Sequence, residues 1–565
     1  MADMALPAPA VRPRAGTDQR LMQGALFLAA AFLLVFLVLP LGFLFVRAFQ
    51  DANGAFVGLA NFAAYVTTPS LAVSAWNSLW VAALTTAMVV PLAFCFAYAL
   101  TRSRIPGKPL FRAVMLLPVL APSLLPALAL IYLFGNQGML RGALLGNSIY
   151  GPIGIVIAQV FYCFPHAALI LSVALAGADG RLYEAAAALK AGRGRMFTTI
   201  TLPSVTYGLV SAAVVVFTLV VTDFGIPKVI GGQFPVLATE VYKQVVGQQN
   251  FNMGAVVGIV LLLPAIAGFL LERWAQGGRA GMLSGRSVPY APKARLARDV
   301  PLLLLCLGVA AALLAVVGTA AWGSFIRFWP YNLTLTWANY DFGRFDSAGW
   351  DSLLVSARLA GLTALFGTAI IFLVAYVLER GVKSGPLPPL VRFAATMPLA
   401  VPGLVLGLSY ILFFNEPANP LGFLYGTLAI LVLNSLVHFY TVCHLTALTA
   451  IRQLDPEFES ASASLKVPVW VTFWRVTLPI CVPAILEIFM YLFVNAMTTV
   501  SAVIFLYGTD SKPASIAVVH MDEAGQSSAA AAMACTILAV NVALKLVHVG
   551  MGGAIERWTQ AWRRR

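Results

Sequence analysis

Charge is what this 565-residue chain has least of. Asp, Glu, Lys and Arg make up 10% of it, hydrophobic residues 60%, and the mean hydropathy is +0.87. Soluble domains carry about 25% charged residues. So little polar surface cannot shield so much apolar surface from water, which excludes an ordinary soluble domain and makes a bilayer the solvent. Acidic residues are scarcer than basic ones, 22 against 36, for a net charge of +14. That excess lies in short loops between apolar runs, so the positive-inside rule accounts for it and no nucleic-acid partner is expected. The six cysteines (Cys95, Cys163, Cys306, Cys443, Cys481 and Cys535) lie in or beside apolar segments and form no CxxC pair. They read as buried free thiols rather than metal or redox ligands.

Catalytic motifs are also missing. A Walker A loop needs GxxxxGK followed by Ser or Thr. The nearest stretch, Gly381-Val382-Lys383-Ser384, lacks the Gly-Lys adjacency, and Leu283-Ser284-Gly285 lacks the Gly-Gln of a nucleotide-binding signature. There is no HExxH and no Ser/His/Asp set within shared loops, and the five histidines are scattered. No cofactor or metal is therefore expected. A membrane-embedded enzyme is disfavoured, since no acid/base or metal cluster emerges.

What is present is a series of apolar runs, each near the roughly 20 residues needed to cross about 30 Å of hydrocarbon. They fall at about 25–46, 76–100, 111–134, 152–176, 204–226 and 252–272, then at about 301–322, 353–378, 389–414, 423–449, 480–507 and 528–550. The run at 25–46 is too long for the core of a signal peptide and ends in VRAFQ, so it reads as a retained span. The expected fold is an all-α polytopic membrane protein of about twelve helices in two six-helix repeats. Its parts are a tail (1–24), a first domain (25–272), a polar linker (273–300), a second domain (301–553) and a basic tail (554–565). With both termini inside, the inside segments hold 27 Lys and Arg and the outside loops 6. This split puts both tails, the linker and the loops 177–203 and 450–479 in the cytoplasm.

The two halves repeat one another. EAAAALKAGRGRMFTTITLP, Glu184 to Pro203, returns as ESASASLKVPVWVTFWRVTLP, Glu459 to Pro479. Pro203 falls on Pro479, an offset of 276, and Leu189-Lys190 on Leu465-Lys466. Pro118 and Pro122 match Pro398 and Pro402 at offset 280, and Phe161-Tyr162…His166 matches Phe439-Tyr440…His444 at offset 278. Asn77-Ser78-Leu79 resembles Asp351-Ser352-Leu353. An even number of spans per half makes the repeats parallel, related by an axis along the membrane normal. Ionisable residues at membrane depth are functional candidates by default. These are Asp223, Glu487, Arg358 and Lys545, the last two near span ends where snorkelling is the competing reading. Asp223 stands beside Phe224-Gly225-Ile226-Pro227, where a backbone break could open onto a water-filled path. Its counterpart is Thr499, and Thr222 pairs with Thr498. His166 and His444 read as packing residues, with a proton relay as the alternative.

Glu184-Ala185-Ala186 and the run to Leu202-Pro203 resemble the EAA loop of ABC importer permeases. The resemblance implies a cytoplasmic coupling helix that docks on a separate ATP-hydrolysing subunit, in two copies, and a periplasmic binding protein that delivers a solute. It also implies a bacterial inner (plasma) membrane location and a transport subunit without enzymatic activity of its own. Coupling would fall to Glu184, Ala185, Ala186, Leu189, Lys190, Gly192 and Pro203, and in the second copy to Glu459, Leu465, Lys466, Pro468 and Pro479. The chain departs from the family pattern in two ways. Lys190 and Lys466 occupy the family's glycine position, with Gly192 and Pro468 two residues later, which would shift the bend. The second copy also reads Glu459-Ser460-Ala461-Ser462 in place of Glu-Ala-Ala. Two permease domains in one chain resemble the fused permeases for ferric iron, thiamine and organophosphonates. Residues 220–264 look most like the 2-aminoethylphosphonate branch, with Thr222, Asp223, Tyr242, Thr498 and Thr499 along the path and Lys228 and Lys243 near it. A twelve-span secondary transporter of the major-facilitator kind also has parallel halves, but the paired loops would then have no ATPase to grip.

Overall fold

The computed structural model describes residues 16–277, 288, 290–381, 385–455 and 457–559. The expected tails 1–24 and 554–565 and the linker 273–300 lie partly outside them. The first half comprises α1 (Asp18–Ala48), α2 (Ala60–Thr67), α3 (Pro69–Arg102), α4 (Lys108–Leu120), α5 (Leu124–Phe134), α6 (Pro152–Ala176), α7 (Gly180–Ala188), α8 (Arg193–Thr222), α9 (Gly225–Ile230), α10 (Leu237–Tyr242) and α11 (Phe251–Gly277). The second comprises α12 (Leu296–Phe325), a hairpin of β1 (Ile326–Phe328) and β2 (Asn332–Leu335), α13 (Asp351–Gly381), α14 (Leu387–Ala400), α15 (Gly403–Phe414), α16 (Leu428–His438), α17 (Tyr440–Arg452), α18 (Glu457–Ser464), α19 (Val469–Thr498), α20 (Ala514–Glu523) and α21 (Ser527–Thr559). Among the described residues, nine helices are long and apolar enough to cross a membrane, or twelve if each of three bent pairs counts as one span. Helix also reaches beyond the apolar runs: α1 begins at Asp18 rather than near 25, because its polar first turns bond internally as well in water as in lipid.

The three bent pairs are where the apolar runs misled. Straight spans were expected over 111–134, 389–414 and 423–449. Instead α4 and α5 meet at 99°, α14 and α15 at 113°, and α16 and α17 at 56°. Two of the breaks have a local cause. Proline disfavours the helical region for the residue before it. Ala121, before Pro122, is extended at φ −95°, ψ 148°, and Val401, before Pro402, at φ −104°, ψ 112°. The matched prolines thus break the same span in both halves. The third break, at Phe439, has no counterpart: α6 runs unbroken through Phe161. Proline also shapes α8 and α19. Each carries a π-turn, Phe197–Thr201 and Phe473–Thr477, just before its Leu-Pro, where the missing proline N–H disrupts the i→i−4 ladder.

The packing units are not the sequence units. Leu26, Ala29 and Leu33 of α1 lie in a buried cluster with Ile371, Phe372 and Leu492 of the second half. The Tyr410 hydroxyl donates to the Phe36 carbonyl at 2.6 Å. Reciprocally, α12 packs on α4 and α5, with Gly323 against the Tyr132 ring. Each half lends its first helix to the other.

The structure also resets one register. Ser78 Oγ accepts from Leu237 N at the start of α10, and Ser356 Oγ from Ala514 N at the start of α20, both at 2.8 Å. Ser74 and Ser352 each donate to a carbonyl three residues back. Ser78 therefore corresponds to Ser356 and Ser74 to Ser352, so the resemblance of Asn77-Ser78-Leu79 to Asp351-Ser352-Leu353 is four residues out of structural register. Removing either hydroxyl strands a buried backbone N–H, worth about 1–3 kcal/mol. Ser78→Ala and Ser356→Ala are each expected to lower the thermal midpoint of the detergent-solubilised chain, by similar amounts; an unchanged midpoint would show that the caps are dispensable.

Candidate functional site

Both loops of the repeated motif fold as a short helix, a left-handed turn and a second helix. Asp179 caps α7, its carboxylate accepting from Arg181 N at 3.0 Å, and this bond holds its pKa below the usual range. At the other end Lys190 N donates to Ala187 O at 3.0 Å and Ala191 N to Ala186 O at 2.9 Å, the pairing of a Schellman cap. In the second loop Val467 N donates to Ser462 O at 2.9 Å in the same way. The residue at the cap must adopt positive φ, and Lys190 and Lys466 both do, each at 55°. The bend is therefore not shifted to Gly192 and Pro468. Those two residues are extended, at φ −65° and −59°, and begin the helices that become α8 and α19.

Glu184, Ala185, Leu189, Lys190 and Pro203 are exposed and Ala186 is half-buried. Leu189 and Leu465 are 83% and 76% exposed, unusual for leucines at the end of a structured turn. Lys466 is exposed, and Pro468 and Pro479 are half-buried. Glu459 differs in kind. It pairs with Arg380 at 3.1 Å, and the 276-residue offset places it opposite Tyr183, not Glu184.

Between the halves lies a polar cavity of about 110 Å³. Its lining gathers the backbone breaks: Ala121 and Ser123 from the α4/α5 bend, Asp223 and Gly225 from the end of α8, His438 and Phe439 from the α16/α17 bend, and Thr498 to Ser501 from the end of α19. The α14/α15 bend adjoins it, since a side chain on Gly403 would meet Ser501 Oγ at 2.8 Å and His438 Nε2 at 3.0 Å. Asp223 Oδ2 accepts from Gln159 Nε2 at 2.8 Å and from Ile226 N at 3.0 Å. Gly225 is required here, because a Cβ would collide with Ser123 Oγ.

Of the expected path residues, Asp223, Thr498 and Thr499 line the cavity and Thr222 and Tyr242 do not. Thr222 Oγ1 donates to Thr218 O at 2.8 Å, repeated by Thr498 Oγ1 to Val494 O at 2.9 Å. Tyr242 packs on Phe224, with ring centroids 5.1 Å apart. Lys228 Nζ lies 4.5 Å from the centre of the Tyr242 ring and 2.5 Å from Glu523 Oε1, an ion pair joining α9 of one half to α20 of the other. Tyr162, His166, His438 and Asn495 also line the cavity. The duplicated Phe-Tyr…His motif was the sequence signal for His166. Nothing marked His438 or Asn495, which reach the site only because of the bends. Among the described residues no group of three His, Cys, Asp or Glu is placed to hold a metal ion.

A helical membrane protein with two pseudo-symmetric halves, a polar cavity between them and matched exposed helices at the loops is a solute permease in architecture. The chain belongs to the family described as the binding-protein-dependent transport system inner membrane component, matched at residues 90–277 and 381–551, once in each half. It is 31% identical to a putative ferric transport system permease protein, FbpB 1, of Haemophilus influenzae, over 87% of this chain and 80% of that protein. It is 30% identical to the ferric transport system permease protein FbpB of Actinobacillus pleuropneumoniae, over 81% and 68% respectively. The molybdenum transport system permease protein ModB of Escherichia coli matches at 28%, 35% of this chain covering 90% of that protein. The chain is thus an ABC importer permease of the bacterial inner membrane, with two permease units fused. The family transports rather than catalyses, and works with ATPase and periplasmic binding-protein partners.

A left-handed conformation costs a non-glycine residue about 1–2 kcal/mol, partly offset because glycine is freer when unfolded. Lys190→Gly is therefore expected to stabilise the α7 cap, slowing hydrogen exchange at the Ala191 amide by about two- to fivefold. Faster exchange would mean that the lysine side chain itself holds the turn.

Proposed function

We propose that this chain supplies the whole transmembrane pathway of an importer, with one ATPase subunit gripping α7 and a second gripping α18. The binding protein delivers solute at the opposite face, and both termini lie on the ATPase side. The observation that carries the reading is the matched pair of exposed coupling helices, each closed by a left-handed lysine directly after an exposed leucine. An apolar knob at that position suits a cleft on a partner better than it suits water.

The cargo we propose is 2-aminoethylphosphonate. Two observations support it: the resemblance of residues 220–264 to that branch, and a cavity lined by one carboxylate, Asp223, together with hydrogen-bonding groups at His166, His438, Asn495 and Thr498. A zwitterion needs an anion or aromatic for its ammonium and a cation for its phosphonate; the cavity lining supplies the anion, and the expected cations, Lys228 and Lys243, lie outside that lining. A second reading, ferric iron, is favoured by the ferric permeases among the relatives.

The purified chain is expected to hydrolyse no ATP. Leu189→Glu, which forces a charge into an apolar cleft, should cut ATP-driven uptake at least tenfold without unfolding the chain. Uptake driven by a proton gradient with no ATPase present would overturn the importer reading. For cargo, a deletion strain lacking redundant systems should fail to grow on 2-aminoethylphosphonate as sole phosphorus source. Normal growth there, with failure under iron limitation, would replace that cargo with ferric iron.

A further inference from the structure

Each half places an arginine at the same point, fully buried in the first half and partly buried in the second. Arg102 ends α3 and is 3% exposed; Arg380, 278 residues on, lies in the last turn of α13. Arg102 Nη2 donates to the Leu175 carbonyl at 2.7 Å, and Arg380 Nη2 to the Ile451 carbonyl at 2.8 Å and the Leu454 carbonyl at 2.9 Å. Leu175 and Ile451 stand 276 residues apart near the ends of α6 and α17, the helices that lead into the coupling loops. Withdrawing a guanidinium from water costs free energy unless it is paired or hydrogen-bonded, so matched sites of this kind in a chain this poor in charge mark a recurring structural joint.

The third member of the joint differs between the halves. The Arg102 guanidinium carbon lies 4.9 Å from the centre of the Tyr183 ring and 4.6 Å from that of Tyr290. Tyr183 belongs to α7, and its hydroxyl bonds with Thr201 Oγ1 at 2.9 Å, tying the coupling helix to the root of α8. Tyr290 belongs to neither half; it comes from the segment that joins them. That segment touches the coupling loop again, Gly180 N donating to Val288 O at 2.8 Å and Val288 N to Asp179 Oδ1 at 3.3 Å. In the second half the position of Tyr183 is taken by Glu459, paired with Arg380. There α1 supplies the outside contact, with Asp18 Oδ2 accepting from Val469 N at 3.0 Å.

We propose that Arg102 and Arg380 are positioning residues that transmit movement of the coupling helices to the spans, and that the joining segment, through Tyr290, is a working part of the first joint. The proposal rests on the reading that α7 and α18 receive the ATPase stroke. The Tyr183 and Tyr290 rings also touch each other, with centroids 4.7 Å apart at 51°, so the guanidinium lies beside a ring pair; such contacts are less directional than the Arg380–Glu459 ion pair. The first loop therefore follows its span only while the joining segment holds it, which makes the two loops mechanically unequal.

The test uses the assembled complex with its ATPase in proteoliposomes, and reads solute imported per ATP hydrolysed. The probe is radiolabelled 2-aminoethylphosphonate or radiolabelled ferric iron, whichever the growth assay selects. Tyr290→Ala is expected to keep the ATPase rate within about twofold while import per ATP falls at least threefold, and Tyr290→Phe, which retains the ring, to match the unaltered chain. An unchanged ratio for Tyr290→Ala, equal losses for both variants, or loss of the ATPase from the Tyr290→Ala complex would each overturn the proposal. Leu189→Glu in parallel separates the two readings. If it leaves uptake intact, coupling through α7 itself fails; if it abolishes uptake while Tyr290→Ala does nothing, only the role of the joining segment fails.

Discussion

Inside a bilayer every backbone N–H and C=O must find a partner within the protein or in a water-filled cavity, and this constraint organises the structure. The long helices satisfy it internally and can stand in lipid. Breaks cannot, and the breaks at Ala121–Ser123, Asp223, Phe439 and Thr499 all open onto the same cavity, with Val401–Pro402 beside it. The cavity is polar because interrupted helices meet there, and the helices can be interrupted because a cavity receives their free groups. Asp223 shows the economy of this arrangement: it lines the space and also bonds the first turn of α9 through Ile226 N.

The same constraint links the cavity to the loops. Helices α8 and α19, 30 residues each, begin at the coupling turns and end beside Asp223 and Thr499. At 1.5 Å per residue each is a rod of about 45 Å. Each rod thus joins one of the repeated loops directly to the cavity. The exchange of first helices between halves ties the two rods together. Each half packs against α1 or α12 of its neighbour. The π-turns near the roots of both rods sit where bending would concentrate.

Much of this was legible in the sequence because its causes are local. Low charge, apolar run length and basic loops gave the membrane class. The repeated Leu-Lys and Leu-Pro marked the duplicated loop. The bends were half-legible: the matched prolines at 122 and 402 were visible, but hydropathy reports only apolarity, so it read straight spans through them. The bend at Phe439 has no proline and was invisible. Lys190 and Lys466 argued for a displaced turn by residue preference alone. The Schellman hydrogen bonds and surrounding helices over-determine the backbone there, and preference of about 1–2 kcal/mol lost to them. Thr222 and Tyr242 were plausible path residues by sequence position, yet one bonds back to its own helix and the other packs beneath Lys228.

The sequence by itself determined that the chain crosses a membrane, that it does so as two alike halves, and that matched loops need something outside the chain to act on. Those properties follow from hydropathy and repetition, which are additive along a polymer. Only the tertiary structure decided that α1 serves the second half and α12 the first, that His438 and Asn495 line one cavity with Asp223, and that Tyr290 lies against Arg102 beside α7. Arg102–Tyr290, Asp223–His438, Asp223–Asn495 and Phe36–Tyr410 lie 188, 215, 272 and 374 positions apart. They depend on how rigid helices pack and where they bend, which no local pattern encodes.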